Sequence, residues 1–408
     1  MTGRTDEREA EGFFLDVPEK LDNPFPDLAY FRENRPVFYH EALDQWFVFG
    51  YDDVSSLFSD SRMSADRMKG FLDAAPEEVR DELRTVDPYL ERFVLMMDDA
   101  DHRRVRRFMH SGFNAAAIRD LQETIQRIAD ELLDKVQDRG RMDVSGDYGF
   151  LLPAYVLSDF LGFPKEDRDR VLKWSVDFIG FFNVVPITVE TTRPMVESAT
   201  EMIRYVGELL ADRRRDPRDD FLGTLANADV GEVSEEEIVS NAMLLLLAGH
   251  VAPRNLIGNA VYLLLQNPDQ LAKLREDPSL MRNVLEVTLR FEPPVTLIPR
   301  IALKDIELRE STIQAGQIVQ LSIASANRDE TRFPDPDRFD VTRQPARTLS
   351  FGHGPHGCLG ALLALEEAQI SLETLFRRMP GMKLDESRDI VWYRNAANRG
   401  PDLLPLVF

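Results

Sequence analysis

One long apolar segment constrains the fold of this chain more than any other feature. Ser234 is followed three residues later by Glu237, the pattern of a capping box at a helix start. Helical spacing then continues over residues 238–265 and includes the run M-L-L-L-L-A-G-H, which is apolar on all sides. A helix of this kind must be buried along most of its length. The chain therefore has to surround it with other elements, and a binding site could lie against it.

Other helices and a few short strands are predicted around this segment. Helical spacing dominates from about 115 to 290, whereas Pro and Gly punctuate the chain heavily after 290. Apolar and aromatic stretches predict short strands at 36–39, 46–51, 306–308 and 318–323. The sequence contains no internal repeat and no convincing linker. We therefore predict a mainly α fold with small β-sheets, in a single domain that spans residues 1–408.

Charge and composition limit the classes of function. The chain has 49 Lys and Arg residues against 71 Asp and Glu residues, a formal charge of −22, and no basic run long enough to follow a phosphate backbone. Nucleic acid is therefore not expected as a partner. The N-terminal residues are polar and charged, without the apolar core of a signal peptide or a membrane span. We expect a soluble, cytoplasmic protein that does not bind membranes.

The only cysteine lies in a glycine-rich loop before a predicted helix. Cys358 belongs to F-G-H-G-P-H-G-C-L-G at 351–360, and a helix is predicted from about Leu359. Free N–H groups and the dipole at a helix start stabilise a thiolate. A single cysteine excludes an internal disulfide and a thiolate zinc cluster. The residues alone leave three alternatives, which are a buried inert thiol, a reactive thiol and a metal site with one cysteine ligand.

This loop resembles the haem-binding loop of the cytochrome P-450 family. The match is position by position at Phe351, Gly354, His356, Cys358 and Gly360. The resemblance implies the cytochrome P-450 fold and haem b (iron protoporphyrin IX) as the cofactor, with Cys358 as the axial ligand of the iron. It also implies that Phe351 packs beneath the porphyrin and that His356 meets a haem propionate.

Further haem contacts follow from the same resemblance. The segment 97–109 resembles the family's propionate-binding helix, in which His102 and Arg106 lie one turn apart on one face. Arg300 matches a third propionate contact of bacterial members. The remaining cofactor-binding positions that the resemblance implies are Ala248, Gly249, Gly360 and Ala364. Without the resemblance, His102 and Arg106 would form a solvated basic face, and Arg300 would be an ordinary surface arginine.

The resemblance also implies a substrate pocket on the side of the haem opposite the thiolate, under the long helix. By position it is lined by segments 63–95, 176–196, 244–252, 294–298 and 394–398. The predicted pocket residues are Phe178, Phe181, Val251, Ala252, Val295 and Leu297. Their side chains are consistent with a bulky apolar ligand. Core packing is an equally good interpretation for each of them.

The long helix departs from the family pattern where protons are normally supplied to the reacting oxygen. Val251 occupies the family's acid position and Ala252 its alcohol position, and neither side chain can donate a proton. We therefore assign no catalytic residue, and the proton source is left to His250, to water or to a substrate hydroxyl. Pro253 is expected to kink the helix, because it lacks an N–H donor and clashes with the carbonyl of Gly249.

A second departure lies in the family's Glu-x-x-Arg pair. Arg290 would be accompanied by an acid at position 287, but the residue there is Val287. Glu286 lies four residues before Arg290 and could form an i, i+4 pair with it. Otherwise Arg290 and Arg338 are expected to bond backbone carbonyls, because a buried guanidinium must be satisfied. Weaker haem retention than usual is the expected consequence.

These features favour a monooxygenase that acts on a bulky apolar small molecule in secondary metabolism. The resemblance implies electrons from a ferredoxin and a ferredoxin reductase, and we expect a monomer. Arg103, Arg104 and Arg107 form either a basic patch for an acidic ferredoxin or a solvated face. The missing acid and alcohol keep open a haem-thiolate enzyme that is peroxide-driven or catalyses a redox-neutral rearrangement, dehydration or cyclisation. A non-catalytic helper on the same fold is the second alternative, although it would not need an iron ligand.

Overall fold

The computed structural model describes residues 13–113, 115–182, 187–228 and 233–408. The polar N-terminal residues 1–12 and residues 183–186 of the predicted pocket segment lie outside the described residues. In the described part the chain is mainly helical with small sheets, which confirms the predicted fold class. None of the described helices is long and apolar enough to cross a membrane.

The α-helices are numbered here in chain order. They are α1 Phe25–Asn34, α2 Tyr51–Ser59, α3 Met68–Asp73, α4 Glu77–Leu83, α5 Asp87–Leu90, α6 Asp99–His110, α7 Ala115–Asp120, α8 Gln122–Gln137, α9 Leu151–Leu161, α10 Arg168–Phe182, α11 Val189–Arg215, α12 Phe221–Asn227, α13 Glu235–Gln266, α14 Pro268–Glu276, α15 Met281–Phe291, α16 Ile323–Ala326 and α17 Ala361–Arg378. The strands are β1 Val37–His40, β2 Gln45–Val48, β3 Met63–Ser64, β4 Arg141–Asp143, β5 Leu297–Ala302, β6 Ile306–Leu308, β7 Ser311–Ile313, β8 Ile318–Ser322, β9 Lys383–Leu384, β10 Val391–Trp392, β11 Pro401–Leu403 and β12 Pro405–Val407.

The chain divides into two compact units, of which the first contains the larger sheet. This unit comprises Met1–Ser64, Tyr262–Gly357 and Ile390–Leu403. Its five-stranded sheet has the order β1-β2-β8-β5-β3, with β2 and β8 parallel and the other neighbours antiparallel. The smaller sheets β6-β7 and β10-β11 belong to the same unit.

Alternation along the strands gives this sheet an apolar core on each face. Phe47 and Val48 are consecutive in β2 and both are fully buried, but they belong to different hydrophobic clusters. Consecutive strand residues point to opposite faces, so each cluster covers one side of the sheet. Strand β2 is shorter than the predicted 46–51, because Gly50 caps helix α2 and Tyr51 already belongs to that helix.

The second unit is built mainly from helices. It comprises Ala65–Val261, Cys358–Asp389 and Leu404–Phe408, and it holds the small sheet β4-β12-β9. Within the region of predicted helical spacing, the chain is interrupted at Leu121, which separates α7 from α8. The single-domain organisation stays a prediction.

The long helix α13 begins where the sequence predicts. The backbone N–H of Ser234 donates to Oε2 of Glu237 at 2.8 Å, and the N–H of Glu237 donates to Oγ of Ser234 at 3.2 Å. This reciprocal pair confirms the capping box. The helix runs through Pro253 to Gln266, and most of its side chains are buried on every side.

A single π-helical turn, Val144–Gly149, connects β4 to α9. The carboxylate of Asp143 caps it by accepting the N–H groups of Ser145 and Gly146 at 3.1 and 3.0 Å. Turns of this kind are rare and are frequent near functional sites. The turn leads directly into Phe150, which contacts the long helix.

Candidate active site

Cys358 lies just outside the start of helix α17. Gly360 is the N-cap residue, so the helix begins at Ala361, two residues later than predicted. The backbone N–H of Gly360 donates to the sulfur of Cys358. The side chain is accessible to solvent. The sulfur therefore lies at the positive end of the helix, with one N–H group directed at it.

Arg106 of α6 is the charged group that acts on this sulfur. Although Cys358 is accessible, the protein atoms around it desolvate the thiol and raise its pKa, whereas the Gly360 N–H and the positive charge of Arg106 lower that pKa without offsetting this effect. Burial also lowers the pKa of Arg106, and the charge of Cys358 raises it. A metal cation bound to a thiol deprotonates it outright. The thiol of Cys358 is therefore expected to be protonated when free and to become a thiolate when it binds a metal ion.

The loop before the cysteine contains two residues in the left-handed region. Gly352 has a φ of 69° and Gly354 a φ of 70°. A Cβ atom on Gly354 would lie 2.8 Å from the carbonyl oxygen of Phe58, which is closer than side chains tolerate. Glycine is therefore required at position 354 by conformation and by space.

His102 and Arg106 are not part of a solvated basic face. His102 is 3% exposed and Arg106 is half-buried, while Arg103 and Arg107 on the same helix are exposed. The predicted i, i+4 pair thus points into the second unit, and Arg106 acts on Cys358.

Arg104 does not add free positive charge to the predicted basic patch. Its Nη2 lies 2.6 Å from Oε1 of Glu237 and 3.0 Å from Oδ1 of Asp101. The hydrogen bond from Arg104 helps to lower the pKa of Glu237. This pair could not be predicted from the sequence, because the two residues are separated by 133 positions.

Three of the predicted haem contacts, Arg300, Phe351 and His356, belong to the first unit. Arg300 in β5 is 4% exposed, its guanidinium lies 5.6 Å from the ring centre of Phe58, and Nη1 donates to the carbonyl of Pro299 at 2.9 Å. It is therefore not a surface arginine. His356 ends a short 3-10 turn and Phe351 is half-buried. The loop passes from the first unit to the second between Gly357 and Cys358.

One face of α13 is accessible in the region of the family's proton-delivery positions. Ala248 is exposed, Gly249 and Ala252 are partly exposed, and Val251 is buried. Ala248 and Ala252 lie one turn apart and therefore on one face. Ala364 and Gly360 on the cysteine side are also partly exposed. None of the three accessible helix residues, Ala248, Gly249 and Ala252, has a polar side chain.

His250 is buried and faces away from this accessible face. Its Nε2 lies 2.7 Å from the carbonyl oxygen of Phe150 and, because a carbonyl only accepts, Nε2 carries the proton. Burial lowers the pKa of His250 to about 4, against the effect of the Phe150 carbonyl and aided by Arg254. His250 is two residues from both Ala248 and Ala252, a rotation of about 200° around the helix. The Nε2 proton of His250 is therefore held in the hydrogen bond to the Phe150 carbonyl and does not point towards the accessible face.

The predicted pocket residues have different surroundings. Phe178 and Phe181 in α10 are 1% and 0% exposed, and the ring of Phe178 stacks on Phe182 at 6.3 Å. Their burial favours core packing, the alternative that the sequence left open. In the first unit, Val295 is half-buried and bridges to Asn398, while Leu297 lines a small cleft together with Thr296, Asn395 and Ala396.

Arg290 is held by backbone carbonyls, as predicted for a chain that lacks an acid at position 287. Its Nη1 donates to the carbonyls of Pro336 at 2.7 Å and Asn327 at 3.3 Å, and Nη2 donates to that of Arg338 at 3.2 Å. The proposed pair with Glu286 is wrong, because that carboxylate lies 3.8 Å from Arg282 instead. The expectation for Arg338 is also wrong, because its side chain is 63% exposed and lies 3.5 Å from Asp340.

The comparisons with known proteins agree with this loop and fold. The sequence model of the family "Cytochrome P450" matches residues 174–380. The "Biotin biosynthesis cytochrome P450" of Bacillus subtilis (strain 168) is 34% identical over 395 residues, which cover 96% of this chain and 97% of that protein. The "Mycinamicin IV hydroxylase/epoxidase" of Micromonospora griseorubida is 36% identical over 380 residues, which cover 92% and 91%. The crystal structure of P450BioI in complex with an acyl carrier protein ligated to hexadec-9Z-enoic acid has a TM-score of 0.87 at 33% identity, with 96% and 99% covered.

This chain belongs to the cytochrome P450 family. It is an oxidoreductase whose cofactor is haem b, and enzymes of this family bind small-molecule substrates and redox partners. The residues described here fit that cofactor. Cys358 offers an accessible sulfur with an N–H donor beside it, and Arg106 offers a cation for anionic groups.

Proposed function

We propose that this chain is a monooxygenase that oxidises a bulky, mostly apolar natural product. The proposal rests on one observation in a chain of this family. The accessible face of α13 at Ala248 and Ala252 carries only apolar side chains. An apolar wall suits a ligand that is itself mostly apolar. The 36% identity to a protein named for hydroxylation and epoxidation of mycinamicin IV supports a natural product as the substrate class.

In this proposal Cys358 is the iron ligand, and the propionates are held by His102, Arg106, Arg300 and His356. Thiolate-ligated haem, when bound, supplies the activation of oxygen for transfer to carbon. Around it, the Gly360 N–H and the Arg106 charge stabilise the anionic sulfur and tune how strongly it donates electrons. The small side chain of Ala364 leaves space for a flat ring, whereas a Cβ atom on Gly249 would lie 3.1 Å from Cδ2 of Leu157.

This chain has no acid or alcohol side chain at the positions that supply protons in the family. Val251 is buried and apolar, Ala252 has no hydroxyl, and the His250 proton is bound to the Phe150 carbonyl. We infer that water or a hydroxyl of the substrate donates the proton, since a donor must lie within hydrogen-bond reach. Efficient coupling of reductant to product then requires a substrate with a polar group near the oxidised carbon.

The test restores the missing groups and measures coupling. Reductant consumed, peroxide released and product formed are quantified with surrogate redox partners, for substrates with and without a hydroxyl near the oxidised carbon. The double variant Ala252→Thr, Val251→Glu should raise coupling for substrates that lack the hydroxyl, because the added donors act in the transition state. Ala252→Val is the matched control, since it has the shape of threonine without its hydroxyl. Equal coupling of wild type on both substrate sets would contradict the inference.

A redox-neutral or peroxide-driven reaction is the second candidate, and the same substitution pattern favours it. A reaction without oxygen activation needs neither the acid nor the alcohol that Val251 and Ala252 replace. Incubation of the protein with its substrate in the absence of reductant, oxygen and peroxide separates the two candidates. Turnover under these conditions would overturn the monooxygenase proposal. Turnover with peroxide that exceeds turnover with reductant and redox partners would support the peroxide-driven reaction.

We also propose that a ferredoxin, reduced by a ferredoxin reductase, docks on the exposed side of α6. Arg103 and Arg107 are exposed there. Arg103→Glu with Arg107→Glu should raise the KM for ferredoxin and weaken its salt dependence, and should leave peroxide-supported turnover unchanged. Arg214→Glu with Arg215→Glu, at arginines that are 39% and 76% exposed, is the charge-matched control. An unchanged KM in the double variant would locate the partner elsewhere.

A further inference from the structure

A buried arginine in the first unit is bonded only to neutral groups. Arg290 in α15 is 2% exposed, and its Nη atoms donate to the carbonyls of Asn327, Pro336 and Arg338. A buried guanidinium is costly unless its charge is compensated as well as its hydrogen bonds. Carbonyl oxygens satisfy the donors but leave the positive charge in place.

A second guanidinium lies close to the first and holds the same turn. Arg343 donates from Nη1 to the carbonyl of Pro334 at 2.5 Å and from Nη2 to that of Asp335 at 2.8 Å. Burial lowers the pKa of Arg290 to about 10, and the charge of Arg343 is the strongest neighbouring charge that adds to this effect. The positively charged guanidinium groups of Arg290 and Arg343 therefore both bond the backbone of the turn 334–338.

The carboxylates in this region are engaged elsewhere. Asp337 is 70% exposed and lies 3.0 Å from Arg328, and Glu286 lies 3.8 Å from Arg282. Within the residues that the structure describes, no carboxylate forms an ion pair with Arg290 or Arg343. One turn before Arg290 on the same helix, the buried residue is Val287.

Both guanidinium groups also retain an unused donor. The Nε atoms of Arg290 and Arg343 are buried and have no hydrogen-bond partner in the described part of the chain, and the same is true of Oγ1 of Thr288. Native proteins rarely leave such groups without an acceptor, because a buried donor that has lost its bond to water and gained no other destabilises the fold. The two N–H donors without an acceptor, and a positive charge on Arg290 that the charge of Asp337 offsets only in part, both favour an anionic acceptor at this place.

We propose that a small monovalent anion, of the size of a halide or formate, binds beside Arg290 and Arg343 and accepts their Nε–H groups. The anion compensates charge where the chain itself has an apolar residue at position 287. Monovalent charge and small size follow from the burial of the site and from its few donors. The inference concerns anion binding by these two arginines and does not depend on the proposed substrate or reaction.

Bromide is the probe for locating the site. Crystals of the haem-loaded protein soaked in sodium bromide should show an anomalous peak within hydrogen-bond distance of Nε of Arg290 or Arg343. In solution, thermal unfolding of the same protein is followed while sodium gluconate is replaced by sodium bromide, chloride or formate at constant ionic strength. A ligand that binds the folded state raises the melting temperature with the logarithm of its concentration once that concentration exceeds Kd, and we expect a rise of about 1–3 °C.

Variants at position 287 connect the effect to this site. Val287→Glu places a carboxylate one turn before Arg290 and should abolish the bromide peak and the anion dependence of melting. Val287→Gln is the neutral control of the same shape and should keep both. The bromide peak and titration of the wild type decide the question if the glutamate variant does not fold. Absence of the peak, a melting temperature equal in bromide and gluconate, or an anion dependence that persists in folded Val287→Glu would each overturn the proposal.

Discussion

The imidazole Nε2 of His250 lies 2.7 Å from the carbonyl oxygen of Phe150, a residue 100 positions earlier in the chain. The rings of the two residues also pack at 4.2 Å. This contact fastens the middle of helix α13 to the end of the π-helical turn 144–149. The contact explains why His250, which is polar, is fully buried next to Val251 and Ala252. It gives His250 a structural role and no role in proton transfer.

Replacement of His250 should therefore affect stability more than coupling. His250→Phe leaves the Phe150 carbonyl buried without a donor and should lower the free energy of unfolding by about 1–3 kcal/mol. His250→Gln keeps an N–H donor and should lose less. The fraction of reductant recovered in product should stay at the wild-type value in both variants. A collapse of coupling in both, with an intact haem spectrum, would identify His250 as a proton donor after all.

The buried imidazole also predicts a dependence of stability on acid. The pKa of His250 is lowered to about 4 in the folded protein, below the ordinary value of 6.5. Between these values the unfolded chain binds a proton that the folded protein does not, so this contribution to stability is complete above about pH 6.5 and is lost as the pH falls towards 4. When melting temperatures are measured between pH 7.5 and 4.5, they should decrease more steeply with falling pH in wild type than in His250→Phe. Parallel curves would show that His250 is not the group responsible.

Glu367 in α17 predicts the opposite trend at higher pH. The side chain is fully buried, and burial raises the pKa of its carboxyl from 4.5 to about 8. Between these values the folded protein keeps a proton that the unfolded chain releases, so stability decreases as the pH rises through this window. Glu367→Gln should melt above wild type at pH 8 and close to it at pH 5. Glu373→Gln, at an exposed position of the same helix, is the control and should leave the pH dependence unchanged.

The assignment of the iron ligand is tested by spectroscopy. The purified protein should contain haem b, and its reduced carbon monoxide complex should show the red-shifted Soret band of thiolate ligation. Cys358→Ala should lose this band. Because Cys358 is the only cysteine, no other thiolate of the chain can replace it. An unchanged spectrum in the variant would remove the assignment.

The loop before the cysteine offers a matched pair of glycine substitutions. Gly354→Ala forces a Cβ to 2.8 Å from the Phe58 carbonyl at a φ of 70°, and should destabilise the protein by more than about 1 kcal/mol while lowering its haem content. Gly207→Ala in helix α11 meets nothing within 4 Å and should stabilise the helix by about 0.5–1 kcal/mol. Equal melting temperatures for the two variants would contradict this account.

Local patterns were sufficient for the parts of the fold that depend on neighbouring residues. The capping box at Ser234 and Glu237 was predictable because both partners lie within one helical turn. The cysteine loop was recognisable because its glycines and Cys358 are adjacent in sequence. The boundaries at Tyr51 and Ala361 were less accurate, because the residue that caps a helix does not differ clearly in sequence from the strand or loop residues before it.

Contacts between distant residues could not be predicted. The bond from His250 to Phe150 and the pair of Arg104 with Glu237 span 100 and 133 positions, and neither has a sequence pattern. The absence of an acid at 287 did predict that Arg290 would use carbonyls. Which carbonyls it uses, and the approach of Arg343, depend on the path of the turn 334–338.

The carboxylate of Glu237 closes the capping box with Ser234 and also forms the ion pair with Arg104 of α6. A capping box favours helix nucleation on its own, but here its acid is also oriented by a residue from another element. The first turn of the longest helix should therefore become fully protected from hydrogen exchange only when α6 has docked. The order in which these two helices acquire protection during refolding would thus be set by a single side chain, and a substitution at Glu237 would uncouple them.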